Sequence, residues 1–383
     1  MIANSKVLLR AARGNQQRTL EFIRQITQLE SPSHEKQAVD RCGEAIIARF
    51  EALGARTRVH RRREVGNILQ FDLGPRRSEQ PPLMLLGHFD TVWELGAIRR
   101  MSLREVKGRL HGPGVFDMKS GIAVMAEALA SLMETDGEVP RPVTVLLNTD
   151  EETGSTYSRD VIESVARTCG AVLVLEPAQG KAGAVKTSRK GVGDFNIKVT
   201  GVAAHAGLDF QNGHNAVLEL ARQVERVSEF TDLDRGLTVS VGVIQGGTRR
   251  NVVPDSAEAQ VDVRIARARD AASLERKFRQ LRPFDPHCKV EISGGINRMP
   301  LERTRGVVQL YRTAQAIAAE LGFELPEAAV GGGSDGNLTA ALGIPTLDGL
   351  GPVGEGAHAA HESIIVSELP KRIALVAELI RRA

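Results

Sequence analysis

The sequence predicts an α/β protein with a mixed, largely parallel sheet, interrupted by an inserted α+β unit. Two textures carry that prediction. Up to about residue 190, and again after Pro300, short continuous apolar runs alternate with helix-period segments, the pattern of strands buried on both faces and joined by crossover helices. Between them, strands read apolar-polar with period two, as strands do when one face is wet. The expected division is a discontinuous domain, residues 1–190 with 299–383, and an insert spanning 191–298.

Residues 15–29 and 35–53 place apolar side chains at helical spacing, including Leu20, Ile23, Ile26 and Leu29. Ser31-Pro32-Ser33 separates the two helices, and its serines suit an N-cap. Gly54 sits where a glycine is expected just past a helix. The runs Leu83–Leu86, Val143–Leu147 and Ala171–Leu175 read as buried strands, with a helix over about 118–134 between the first two. In the insert, Asp194–Thr200, Leu237–Val241 and Ala259–Ile265 alternate, and helices are expected over 214–229 and 271–282. A helix over 306–321, a short strand ending near Leu347 and an amphipathic helix over 366–382 close the chain.

Composition excludes several classes. The net charge of +3 over 383 residues is no nucleic-acid footprint, and two tyrosines with one tryptophan supply little for base stacking. The cluster Arg61-Arg62-Arg63 reads as a solvated strand end. Three scattered cysteines, Cys42, Cys169 and Cys288, form no CxxC pair, so buried free thiols are expected rather than a disulfide framework. No apolar run reaches the roughly 18 residues that would span a membrane. The first residues show neither an apolar leader core nor a small-residue cleavage site. The expected location is cytoplasmic, or periplasmic if a leader has been removed.

Chemistry concentrates where strands end. His88 and Asp90 follow the first run, Asp117 opens the next helix, and Asp150, Glu151 and Glu152 follow the second run. Glu176 follows the third, and His358 lies in a later glycine-rich loop. Open α/β sheets bind ligands beyond the carboxyl ends of their strands. Carboxylates gathered there repel one another unless a cation joins them. Two histidines with several carboxylates and no cysteine suit Zn²⁺, with Mn²⁺ or Co²⁺ as substitutes. His88 and Asp90 project to the same side of an extended chain.

These segments resemble the M20 metallopeptidases. Gly87-His88-Phe89-Asp90-Thr91-Val92, Gly112–Gly121 and Thr149–Ser155 are similar to its metal motifs. Gly201–Gly207 resembles its lid motif, and Gly332–Asn337 and Gly356–Glu362 its C-terminal motifs. The similarity runs from about residue 20 to the end and favours the glutamate carboxypeptidase branch. It implies a zinc-peptidase-like catalytic domain with an inserted lid and dimerisation domain, two Zn²⁺ ions, and a homodimer. Asp117 would bridge the metals, His88 and Glu176 would hold one, and Glu152 and His358 the other. Asp90 would orient His88, Glu151 would be the general base, and the Asp117–Met118 peptide would be cis. The family's His-x-x-x-Glu pattern, which Glu362 completes only with His358, implies His358 rather than His361. Trp93 is left open between walling the pocket and packing, and His111 and His214 are read as structural or solvent-facing.

The resemblance further implies that His205 stabilises the oxyanion in a partner's site. Asn251 would help to hold substrate, and Arg298 would grip a terminal carboxylate with its guanidinium fork. Arg264 is a weaker candidate, with an ion pair as the alternative. Backbone N–H groups near Gly333 would face the same carboxylate. Family members with Glu at position 176 tend to be carboxypeptidases and acylases. The implied reaction is amide hydrolysis releasing a C-terminal amino acid, glutamate first among candidates, from an N-acyl or short-peptide substrate with a free carboxylate. The alternatives are an acetylornithine or succinyl-diaminopimelate type deacylase and a non-catalytic binding protein. The latter predicts a missing base or ligand, and none of these positions departs from the motif.

Overall fold

A computed structural model describes residues 5–383. They form two compact units. One comprises the chain up to Ser188 with Arg303–Ala329 and Ser334–Ala383, and the other Arg189–Glu302 with Val330–Gly333.

The first unit is built on a six-stranded sheet in the spatial order Arg56–His60, Ile68–Leu73, Val143–Asn148, Leu83–His88, Ala171–Val174, Thr346–Leu347. The first two pairings are antiparallel and the other three parallel. The continuous apolar runs have their predicted cause. Leu83 and Leu85 enter one hydrophobic cluster with Ile23, Val39, Leu129 and Ile373, whereas Met84 and Leu86 enter another with Ile162, Val172 and Leu338. Successive side chains of a strand point to opposite faces, so a strand covered on both sides must be apolar throughout. Helix Ser120–Asp136 is buried all round over its first three turns, from Ser120 to Leu132.

The central strand Leu83–His88 fixes the position of the site. Its neighbours Val143–Asn148 and Ala171–Val174 run parallel to it, with His88 opposite Asn148 and Leu86 opposite Val174. All three chains therefore leave the sheet at the same edge. His88 and Asp90, Asp150–Glu152, and Glu176 follow within a few residues.

One local expectation is corrected. The helix after the first turn is Lys36–Glu51, and no side chain caps it. Ser31 and Ser33 have other partners: Ser31 Oγ donates to the Phe89 carbonyl (2.5 Å) and Ser33 Oγ to Asp90 Oδ2 (2.7 Å). A further helix, Ser5–Gly14, precedes Gln16–Gln28 and buries Leu8, Leu9 and Ala12. All three cysteines are buried free thiols, and no described helix is long and apolar enough to cross a membrane.

Three helices are tied by one carboxylate. Glu320 of Arg305–Leu321 accepts from Ser5 Oγ (2.7 Å) and from both terminal nitrogens of Arg382 (2.8 Å each). Arg382 and Ser5 together hold its carboxyl down at about 2. A depressed carboxyl stabilises the fold above its ordinary value near 4.5 and loses that contribution as pH falls toward 2. The pair is half-exposed, so screening limits its worth to roughly 1 kcal/mol or less. Glu320→Gln is expected to lower the melting temperature slightly at pH 7. The difference from wild type should shrink as melting is repeated at successively lower pH below 4.5.

The second unit is a four-stranded antiparallel sheet in the order Thr238–Gly246, Ser256–Ile265, Gly191–Thr200, Lys289–Arg298. Its period-two pattern sends Phe195, Ile197 and Val199, with Ala259, Val261 and Val263, into a core under helices Ala216–Ser228 and Ala271–Arg279. Phe195 stacks on Phe278 at 4.0 Å between ring centroids. Asn215 caps the first of these helices, accepting from the Leu218 N–H at 3.0 Å.

Candidate metal centre

The strand ends bring His88, Asp117 and Glu152 together, with ligand atoms all within 4.8 Å of one another. His88 Nε2 lies 3.3 Å from Asp117 Oδ1 and 3.4 Å from Glu176 Oε1. On the other side, His358 Nε2 lies 3.0 Å from Glu152 Oε2 and 3.5 Å from Asp117 Oδ2. Asp117 thus presents one oxygen to each imidazole. His358 is carried there in a left-handed backbone conformation, φ 59°. His361 is exposed, and among the described residues the ion pairs joining this loop to the cluster run to His358. The Asp117–Met118 peptide is cis.

Asp90 is fully buried behind the cluster. Its Oδ1 lies 3.3 Å from His88 Nδ1, and the same nitrogen lies 3.1 Å from the Asp90 carbonyl. These contacts occupy Nδ1 and leave Nε2 facing the acids, the usual arrangement for a liganding imidazole. Asp90 also accepts from the backbone N–H groups of Glu151 (3.4 Å) and Glu152 (3.3 Å). One carboxylate therefore aligns the His88 ring and the short turn Glu151–Thr153. From behind, buried Asp335 accepts from Asn148 Nδ2 (2.8 Å) and Ser155 Oγ (2.5 Å), bracing both ends of that segment. Lys119 is structural: its Nζ donates to the carbonyls of Ile26 (2.7 Å) and Leu29 (2.9 Å) at the end of a helix.

The electrostatics call for positive charge. Burial alone would lower the His88 pKa, but Asp117, Asp90 and Glu176 outweigh it and hold the ring well above the usual imidazole range. Asp117 and Glu152 raise His358 to about 10 against desolvation. Burial opposes the charge of Asp117, yet His358 and His88 keep its carboxyl well below the ordinary range. Burial raises Glu152. Glu152 Oε1 is sealed from solvent without a hydrogen-bond donor, and buried Asp117 Oδ1 has His88 Nε2 at 3.3 Å but no well-directed hydrogen bond. Buried acceptors of that kind require an explanation, and a cation between them supplies one. The donor set, imidazole nitrogens and carboxylate oxygens without sulfur, fits a divalent zinc-like ion.

In the second unit, His205 Nδ1 accepts from the N–H groups of Gly207 and Leu208, both at 3.1 Å. Its proton therefore sits on Nε2, which is left as a donor. The carbonyl of exposed Asn251 accepts from the Ala206 N–H at 3.0 Å. Arg298 is buried at the end of strand Lys289–Arg298, opposite Val192. The carbonyls of Gly332 and Gly333 accept from Arg189 Nη1 at 3.1 and 2.9 Å. Arg264 is paired with Asp262 at 2.7 Å, the structural alternative. His214 pairs with Asp285 at 2.8 Å and stacks on His287.

Residues 84–382 match the family described as peptidase family M20/M25/M40. The chain belongs to that family. As an M20 peptidase homologue it is a metallohydrolase. It is 29% identical over 382 residues to carboxypeptidase G2 of Pseudomonas sp. (strain RS-16), covering 98% of this chain and 91% of that protein. It is 26% identical to the succinyl-diaminopimelate desuccinylase of Dechloromonas aromatica (strain RCB), covering 95% and 98%. Among solved structures, aminopeptidase PepT from Bacillus cereus ATCC 10987 superposes with a TM-score of 0.77 at 22% identity, covering 96% and 98%. That likeness establishes the M20 fold.

The sequence did not assign two side chains of this M20 site. Ser33 holds Asp90, and Trp93 Nε1 donates to Glu362 Oε2 at 2.8 Å. Trp93 and Glu362 both stand beside recognisable motifs, but 269 residues apart, so only the fold reveals the pair.

Proposed function

We propose that this chain hydrolyses the amide bond of an N-acyl or short-peptide substrate and releases a C-terminal amino acid, glutamate being the first candidate. The convergence of His88, Asp117 and Glu152 carries the reading. His88 and Glu176 would hold one Zn²⁺, Glu152 and His358 a second, and Asp117 both, with Mn²⁺ or Co²⁺ as possible substitutes. Such a cation pair supplies Lewis acidity, polarising the scissile carbonyl and making water acidic enough to attack near neutral pH. Glu151 takes the proton from the attacking water and passes it to the leaving nitrogen. Asp90 keeps His88 aimed and holds the Glu151–Glu152 turn. The Nε2–H of His205 suits a developing oxyanion, an electrostatic role. Arg298, Asn251 and the Gly333 loop would bind the substrate carboxylate end.

His205 would act in the site of a second copy, which requires a dimer. The edge strand Thr238–Gly246 supports that assembly. It exposes Val243 (41%) and Ile244 (56%), and helix Ala216–Ser228 exposes Val217 and Leu218. An uncovered apolar edge is ordinarily blunted or paired, and a twofold-related copy pairs it with itself.

The second reading, a deacylase of the succinyl-diaminopimelate type, is favoured by a relative of that name matching nearly the whole chain. Zinc-loaded protein is expected to sediment as a dimer. It should release glutamate from N-acyl and folate-like glutamates with a higher kcat/KM than amine from N-acetylornithine or N-succinyl-diaminopimelate. A reversed ranking selects the deacylase. Hydrolysis of none of these with zinc, manganese or cobalt ends the amide-hydrolase proposal.

A further inference from the structure

Glu362 is only 1% exposed, and four N–H donors converge on it. Its Oε1 accepts from the backbone of Phe116 (2.8 Å) and Asp117 (3.0 Å). Its Oε2 accepts from the backbone of Gly114 (2.9 Å) and from Trp93 Nε1 (2.8 Å). A carboxylate offers about four lone-pair positions, so this one is saturated, and by neutral donors. The pairing of strands Ser363–Ile365 and Arg109–His111, with Ser363 opposite His111, delivers Glu362 to this loop. Gly114 there has φ 74°, a conformation open chiefly to glycine.

Glu362 also belongs to the turn that presents His358. Its N–H donates to the Ala359 carbonyl, and the Ala359 N–H to that of Gly356, both at 2.9 Å. One side chain thus ties the backbone of Asp117 to the loop of His358. We propose that Glu362 is a positioning residue for the metal centre, clasping loop 114–117 so that the Asp117 carboxylate stays between the two cation positions, with Trp93 bracing the clasp. The proposal rests on the two-cation reading above. Glu362 itself touches no cation; it acts through Asp117, whose aim decides how well both ions are held. Partners that orient ligands in this way typically govern metal affinity by about 10–100-fold.

Glu362→Gln keeps the shape but turns an NH₂ toward one of the donor pairs. Zn²⁺ affinity of the metal-free protein, measured by competition with a chromogenic chelator, is expected to fall about 10–100-fold. Trp93 is the only tryptophan, so its emission reports on the clasp directly. Emission should shift on zinc titration of the wild type, with the midpoint displaced in the variant by the same factor. Glu378→Gln is the control, because it removes a buried carboxylate paired with Arg381 and Arg382 on the last helix. It should lower thermal stability and leave zinc affinity unchanged. Wild-type zinc affinity in folded Glu362→Gln overturns the proposal, as does an equal loss in Glu378→Gln. Should Glu362→Gln not fold, Trp93→Phe removes one donor and keeps a ring, and unchanged zinc affinity there overturns it. A wild-type chain that binds zinc tightly yet hydrolyses no acyl amino acid ends the peptidase reading and leaves the clasp standing.

Discussion

Replacing Glu151 by glutamine is expected to lower kcat by about 10²–10⁴-fold, the range that a positioned acid–base group contributes, while zinc content and KM change little. The separation of effects follows from where Glu151 sits. It opens the turn Glu151–Thr153, and its backbone N–H is held by Asp90 Oδ1 at 3.4 Å. The neighbouring Glu152 turns its carboxylate toward His358, at 3.0 Å. On the proposed reading the adjacent acids would divide the work: Glu152 would serve the cation, and Glu151 would move the proton. Glutamine preserves volume and backbone but cannot take a proton from water, so only the chemical step suffers. Steady-state kinetics with metal analysis of the same sample makes the test. Full turnover in Glu151→Gln would remove the residue from the mechanism. Lost zinc together with lost activity would move it into the ligand set.

The fold was legible where a periodicity is imposed by burial. Leu83–Leu86 and Val143–Leu147 read as strands covered on both faces because both faces of that sheet are covered. The insert read as half-wet strands because its sheet packs helices on one face, giving Gly191–Thr200 a burial that alternates along its length. Strand ends carrying acids and imidazoles were also visible, since an open α/β sheet leaves its ligands at one edge. Contacts decided by pairing across the chain were not legible. Ser31 and Ser33 look like helix caps in sequence, but their hydroxyls find the Phe89 carbonyl and the Asp90 carboxylate, 58 and 57 residues on. Glu362 could be seen only as a spacing partner of His358. Its four donors come from Trp93 and from loop 114–117, and nothing local announces them. The same limit applies to His205: its sequence shows a small-residue turn, whereas the tautomer follows from two backbone N–H groups aimed at Nδ1.

Asp117→Asn is expected to be the most damaging single change to cation binding, because it alters both positions together. Asp117 alone places an oxygen toward each imidazole, at 3.3 Å from His88 and 3.5 Å from His358. Losing Glu176 or Glu152 would weaken one side. Asparagine keeps one oxygen, replaces the other with an NH₂ donor, and removes the negative charge that would offset two divalent ions. Zinc bound to the native state alone stabilises it by about 2.7 kcal/mol per site at a free concentration a hundredfold above Kd. Wild-type protein should therefore melt well above its metal-free form, and chelator followed by zinc should remove and restore both that increment and the activity. In Asp117→Asn the increment should largely vanish, zinc stoichiometry should fall below the wild-type value, and added zinc should not restore turnover. A wild-type increment and stoichiometry in the variant would mean that the cations sit elsewhere. The buried oxygens of Asp117 and Glu152 would then need another partner, and the convergence of these strand ends would lose its chemical explanation.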